Sequence, residues 1–206
     1  MARRTKEDAD ATRNSLLDAA ELVFYEKGVA RASLNEIAQA AGATRGAIYW
    51  HFKDKLDLFT AMMDRVTMPL DLAAQNDDAS GIAPLERLRN LIDFVQRSIA
   101  HDERTRRVFE IALYRVEYVN ELAGVRDRHI EGCAHFQAQI ERNLRLAAEE
   151  LQVTLTLDAT TAAIGLRAIF EGLMQSWLLS HSSFDLVAVS KVSVDTYLRG
   201  LGFHPK

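Results

Sequence analysis

The chain has little that would cross-link it and little that would interrupt a helix. One cysteine, Cys133, among 206 residues excludes an intrachain disulfide and suits a reducing compartment. Only three prolines and ten glycines punctuate the sequence, so long helices are permitted almost throughout. No apolar run approaches the roughly 18 to 20 residues that a membrane span needs. The amino terminus, RRTK followed directly by acidic and polar residues, lacks the apolar core of a secretion signal. A cytoplasmic protein with no membrane partner is expected. Catalytic signatures are missing as well: there is no G-x-S-x-G, no glycine–lysine phosphate loop and no H-E-x-x-H. The histidines at 51, 101, 129, 135, 181 and 204 are scattered. Neither an enzyme nor a cofactor is expected. Positive charge is also in deficit, with a formal net charge of −4. Bulk electrostatics therefore do not draw the chain to nucleic acid, and any such affinity must come from a local patch. What is present is a 48% hydrophobic composition, enough for a substantial core and too much for a disordered chain.

Apolar spacing reads as helix nearly everywhere, so the fold class is all-α. A first helix from about Asp10 to Lys27 carries Leu16, Leu17, Ala20, Val23 and Phe24 on one side and closes at Gly28. Arg3, Arg4 and Lys6 read as a basic arm ahead of it, for DNA backbone or minor groove, or as a solvated tail. A helix from Asp54 to about Leu72 presents Leu56, Phe59, Met62, Met63 and Val66. The stretch from Gln75 to Pro84 reads as a loop, and helices follow at Leu85 to Ala100, Glu103 to Tyr118 and Asn120 to Leu151. VTLTL, from Val153 to Leu157, alternates like a strand but is too short to imply a sheet. The last two helices, about Asp158 to Leu179 and Phe184 to Leu201, are apolar on more than one face. They are read either as a four-helix, two-fold interface with a second copy or as helices buried in a monomer.

The most informative stretch is SLNEIAQAAGATRGAIYWHFKDK, from Ser33 to Lys55. Ser33 and Glu36 form a capping box, so a helix starts there. Leu34, Ile37, Ala38 and Ala41 follow at helical spacing, and small Ala38 lets a second helix approach closely. Gly42 can take the left-handed conformation that turns the chain within a helix-turn-helix. Thr44 then caps a second helix, Arg45 to about Phe52, which buries Ile48 and Phe52. It leaves Thr44, Arg45, Gly46, Ala47, Tyr49, Trp50 and His51 for other surfaces. Such a set suits a DNA major groove. Arg45 can donate to guanine, Thr44 and Ala47 can meet a thymine methyl, and Gly46 allows close approach. Tyr49 and His51 can donate to phosphate, with Lys53 and Lys55 adding charge beside an Asp54 cap. The competing reading makes Tyr49 and Trp50 core aromatics of a small helical domain.

The head from Met1 to Phe59 closely resembles the DNA-binding domain of TetR-family repressors, specifically the AcrR-like branch that controls multidrug efflux pumps. GLMQSWLLSHSSFDL, from Gly172 to Leu186, looks like the end of that branch's dimerisation helix. The resemblance implies about nine helices: a three-helix helix-turn-helix head at residues 1–55 and a ligand-binding and dimerising body at residues 56–206. It also implies DNA contacts at Ser33, Thr44, Arg45, Gly46, Ala47, Tyr49, Trp50, His51 and Lys55. Repression of an efflux operon through a palindromic operator, with release by small hydrophobic or cationic effectors, comes from the resemblance alone.

Effector candidates are Met62, Met63, Val66, Phe109, Leu113, Glu117, Phe170, Glu171, Met174 and Trp177, a thioether- and aromatic-rich set suited to adaptable apolar binding. Each taken singly reads more readily as plain core than as pocket. Glu171 is either a buried carboxylate facing a cationic compound or the partner of Arg167. Two other function classes compete. One is a metal or redox sensor at His129 and Cys133, which are four residues apart, with His135 off their face. The other is a helical interaction protein that binds no DNA.

Overall fold

Helix boundaries in the structure, a computed structural model, follow the capping chemistry. Residues 2–79, 81–116 and 123–204 are described, without the side chains of 2–5, 70, 71, 73–79 and 123. Among the described residues there are nine helices and no strand. Helix α1 spans Ala2–Lys27. Helix α2, Leu34–Ala40, is capped by Ser33, whose hydroxyl accepts from the Glu36 amide at 3.2 Å while a Glu36 oxygen accepts from the Ser33 amide at 3.0 Å. Helix α3, Arg45–His51, is capped by Thr44, which accepts from the Ala47 amide at 3.1 Å. Helix α4, Lys55–Ala79, begins where Asp54 accepts from the Asp57 amide at 2.9 Å. Then come α5 (Pro84–His101), α6 (Glu103–Tyr114), α7 (Ala123–Leu151), α8 (Ala159–Leu179) and α9 (Leu186–Gly200).

Three boundaries differ from the sequence reading. Helix α1 starts at Ala2 rather than near Asp10. Nothing from Ala2 to Ala9 breaks a helix, and Thr12 bonds back to the Asp8 carbonyl at 2.9 Å. The backbone there is a helical turn, not an extended arm; the Arg3 and Arg4 side chains lie outside the described residues. Helix α4 likewise runs on through QNDDA to Ala79, so the polar segment read as a loop from Gln75 is mostly helix and turns only at Gly81. Polarity alone does not stop a helix when no residue in the segment requires another backbone conformation. Helix α6 ends at Tyr114 rather than near Tyr118, with Arg115 and Val116 already out of the helix; the start expected at Asn120 lies outside the described residues.

The chain divides into two compact units, 1–68 with 104–129 and 69–103 with 130–206. In the first, α2 packs against both α1 and α3. Leu16, Leu17, Phe24, Ile37, Ile48, Phe52, Leu58 and Met62 are almost wholly buried there, each contributing about 1.5–3 kcal/mol. The second unit joins α5, α8, α9 and the later part of α7. Helices α8 and α9 run antiparallel, with the Tyr197 hydroxyl donating to the Ala162 carbonyl at 3.1 Å and the Trp177 indole donating to the Phe184 carbonyl at 2.8 Å. Gly165 permits this closeness. A Cβ there would overlap the Tyr197 hydroxyl and lie 2.9 Å from its ring. Gly165→Val is therefore expected to cost about 1–3 kcal/mol, read as a lower denaturant midpoint at unchanged slope. An unchanged midpoint would contradict this account of the contact.

Candidate nucleic-acid interface

The turn between α2 and α3 is built entirely from local chemistry. Gly42 takes φ +66, its amide donates to the Gln39 carbonyl at 3.0 Å, and the Ala43 amide reaches the Ala38 carbonyl at 2.8 Å. These two bonds make a Schellman close. They satisfy the last carbonyls of α2 and redirect the chain so that Thr44 can start α3 after only a short connection.

Helix α3 turns Ile48 fully inward and holds Phe52 at its end, 1% exposed. Its other face is free. Trp50 is 73% exposed and Tyr49 51%, which overturns the reading of these two as core aromatics. Thr44, Arg45 and Gly46 are exposed, and Ala47 is half-buried. A Cβ at Gly46 would meet only the Thr44 hydroxyl, at 3.9 Å, so this side of the helix is open for a partner's approach. The Arg45 guanidinium lies 5.8 Å from the centroid of the Tyr49 ring, a cation–π contact that orients it along the helix. Two bulky aromatics projecting from a two-turn helix leave apolar area in water, and that area implies a partner.

His51 is half-buried. The edge of Trp50 meets its ring at 4.5 Å between centroids, and Arg13 of α1 stacks over the neighbouring Phe52 at 5.1 Å. Burial first, and Arg13 second, hold the His51 imidazolium below its ordinary 6.5, against the opposing pull of Asp10. The folded protein thus binds this proton less well than the unfolded chain. The contribution to stability is complete above pH 6.5 and is lost as pH falls through the lowered value. Arg13→Ala is expected to raise the His51 titration midpoint, followed by NMR of the imidazole protons. A midpoint that stays put or falls would show that Arg13 does not set it.

The remaining sequence-derived positions have internal duties. The Ser33 hydroxyl, though exposed, serves the cap and donates to Glu36 at 2.9 Å. Glu36 also accepts from Lys27 at 2.7 Å, and these bonds, with Lys27 first, bring its carboxyl down to about 2. Lys55 is partly buried, with its ammonium donating to the Ala30 and Ala32 carbonyls at 3.0 and 3.1 Å. It therefore ties the start of α4 to the segment that leads into α2, besides any charge it offers DNA.

Sequence reasoning missed what anchors α1. Glu21, 3% exposed, accepts from Arg107 of α6 at 2.8 Å, and Arg104 lies 3.4 Å away. One turn earlier, Asp18 takes Arg104 at 2.8 Å and Arg65 of α4 at 2.9 Å. The Val29 amide donates to the Arg115 carbonyl at 2.8 Å. The Arg107 and Arg115 guanidiniums lie 5.9 and 5.6 Å from the centroid of the Tyr25 ring, and the Tyr25 hydroxyl bonds the Glu110 carboxylate, whose charge raises the phenol's pKa. The available signal was Glu21 itself, on the same helical stripe as Leu17 and Phe24.

The candidate effector residues fall in both units. Met62 and Val66 are buried in the first unit's core, with Met63 and Phe109 packed against it and Leu113 half-buried. Phe170, Met174 and Trp177 are buried in the second, where Glu171 accepts from Arg167 at 2.7 Å. Glu117 lies outside the described residues. Burial first, and the Glu171 charge second, raise the Cys133 thiol above its ordinary range. Among the described residues no three His, Cys, Asp or Glu side chains gather to hold a metal, and the His135 ring is 3.0 Å from Gln139. No described helix is long and apolar enough to cross a membrane.

Comparison with known proteins places these elements in context. Residues 16–62 match the family described as bacterial regulatory proteins, tetR family, and residues 83–203 match the C-terminal region of MAATS-type transcriptional repressors. The chain is 37% identical over 206 residues to the HTH-type transcriptional regulator TtgR of Pseudomonas putida, covering all of this chain and 98% of that protein. It is 39% identical over 187 residues to the regulator AcrR of Shigella flexneri, covering 90% and 87%. The crystal structure of NalD, described as the secondary repressor of the MexAB-OprM multidrug efflux pump in Pseudomonas aeruginosa, aligns with a TM-score of 0.83 at 33% identity, covering 94% of this chain and 97% of that one.

Proposed function

The chain belongs to the TetR family of bacterial transcriptional regulators, and from that premise we propose that it is a dimeric repressor of a multidrug efflux operon, released from a palindromic operator by small hydrophobic or cationic compounds. The observation that carries the DNA-binding half is the exposed face of α3, with Trp50 and Tyr49 in water beside Arg45 and Gly46. Base reading falls to Thr44, Arg45, Gly46 and Ala47. Phosphate contact falls to Tyr49, Trp50, His51, Ser33 and Lys55. The head, 1–55, reads DNA, and the body, 56–206, dimerises and takes the effector. The protein acts in the cytoplasm on nucleoid DNA.

Dimerisation is supported by apolar side chains left in water on the last two helices. Ile164 and Leu179 of α8 are 46% and 65% exposed, and Val192 of α9 is 65% exposed. Two helices from each copy would make a four-helix, two-fold contact. Joining two heads then makes the second DNA contact intramolecular, which raises affinity without adding any new contact per head. Of the candidate effector residues, Phe170, Glu171, Met174 and Trp177 lie in the second unit, and Met62, Met63, Val66, Phe109 and Leu113 lie in the first. An effector that prefers one packing of the body changes the spacing of paired recognition helices from the roughly 34–36 Å that successive major grooves require.

The test of the two-fold reading is a titration of full and half operator duplexes from the chain's own upstream region. Two protomers per full site, with half-sites bound far more weakly, are expected. Equal affinity for half and full sites would reject it.

A further inference from the structure

Resting on the proposal that the body takes an effector, we infer that the second unit holds a hydrogen-bond-accepting subsite at Gln96, which selects aromatic effectors carrying an O–H or N–H donor. Gln96 lies on the inward stripe of α5 between Ile92 and Ile99 and is completely buried. Its amide nitrogen donates to the Phe170 carbonyl of α8 at 3.5 Å. That long contact favours this orientation of the amide, because the flipped form would set two carbonyl oxygens against each other. Its oxygen Oε1 has no hydrogen-bond partner among the described residues. A buried acceptor left in this state costs stability, and leucine would fill the position without that cost.

Two features of the same unit bear on what would meet this oxygen. The Phe170 ring stands 5.0 Å from the Phe136 ring at 46°, so the carbonyl that anchors Gln96 belongs to one of a packed aromatic pair. Helices α8 and α9 are in register through Tyr197 on Ala162 and Trp177 on Phe184, which sets Ser190 at the level of Phe170. The Ser190 hydroxyl is buried and likewise has no hydrogen-bond partner among the described residues. A flat ring bearing one donor group satisfies this combination: the ring packs with the phenylalanines and the donor reaches Oε1. A purely hydrocarbon ligand leaves the acceptor unsatisfied, and a ligand offering only acceptors opposes it.

The experiment compares 2-naphthol with its methyl ether, which has nearly the same shape and no donor, on the full-length protein. Binding is followed by isothermal titration in wild type and in Gln96→Leu, with Gln96→Met as a second variant of similar length should leucine prevent folding. The ratio of naphthol to ether affinity is expected to fall about 2- to 12-fold in the variant, the worth of one net hydrogen bond, while thermal stability holds or rises. An unchanged ratio, with both probes bound, would overturn the subsite and leave Gln96 as a core residue or a holder of water. If neither probe binds wild type, the effector reading of this unit fails for aromatic compounds and the subsite fails with it.

Discussion

Replacing Glu21 with alanine is expected to cost about 3 kcal/mol of stability and to lower the melting temperature by about 6–12 °C. Glu21 is the one nearly inaccessible carboxylate among the described buried groups, and it faces two arginines from α6. Removing it leaves the Arg107 guanidinium, whose side chain is only 24% exposed, facing a cavity. The low end of the range for breaking buried pairs is chosen because both arginines keep some water. The loss should be smaller when Arg107→Ala is already present, with a coupling of about 0.5–3 kcal/mol in a double-mutant cycle. Burial raises the Glu21 carboxyl above its ordinary 4.5, and Arg107 and Arg104 only partly pull it back. The site's contribution is therefore complete below pH 4.5 and declines as pH rises through the raised value, a slope that Glu21→Gln should flatten. Denaturant melts of the variants across this range decide the matter. Additive losses for the two substitutions would mean that the pair is not coupled.

Arg45→Ala should reduce affinity for cognate DNA about 5- to 150-fold per head, because one bidentate guanine contact is worth about 1–3 kcal/mol. Affinity for scrambled DNA should change little. Lys55→Ala should behave differently, and the two carbonyls held by its ammonium explain why. Losing these charge-assisted bonds loosens the junction of α4 with the segment before α2, at a cost of about 2 kcal/mol in stability. Binding to every sequence should weaken together, with a shallower salt dependence. Anisotropy titrations on cognate and scrambled duplexes at several salt concentrations separate the two behaviours. Equal losses on both duplexes for Arg45→Ala would remove it from base reading.

The recognition segment is legible in the sequence because its determinants are local. Ser33 with Glu36, Gly42 with its two closing bonds, and Thr44 with Ala47 each act within five residues, so type and spacing suffice. The exposure of Trp50 is also readable, since Ile48 and Phe52 take the inward positions of a short helix. The anchoring of α1 is not readable, because Glu21 and Arg107 are 86 positions apart and no periodicity pairs them. The internal bonds of Lys55 are unreadable for the same reason: its partners, 23 and 25 residues back, are backbone carbonyls that leave no mark on side-chain pattern. The continuation of α4 to Ala79 shows the opposite limit. Composition there suggests a loop, while backbone preference permits helix, and the helix persists. Gln96 sits in plain view between Ile92 and Ile99, yet only the fold reveals that its nitrogen is bonded and its oxygen is not.

Central to the account is a ligand-gated DNA contact, and the most direct measurement is binding of the purified protein to its own upstream intergenic DNA against a scrambled duplex, with and without a panel of hydrophobic cations. The account predicts tight, palindrome-dependent binding that at least one compound weakens about 5- to 150-fold, the range of a 1–3 kcal/mol coupling. Preference for the palindrome that no compound of the panel alters would contradict the gating. Equal binding to upstream and scrambled DNA, with no enriched site in a selection from genomic fragments, would contradict sequence-specific recognition itself.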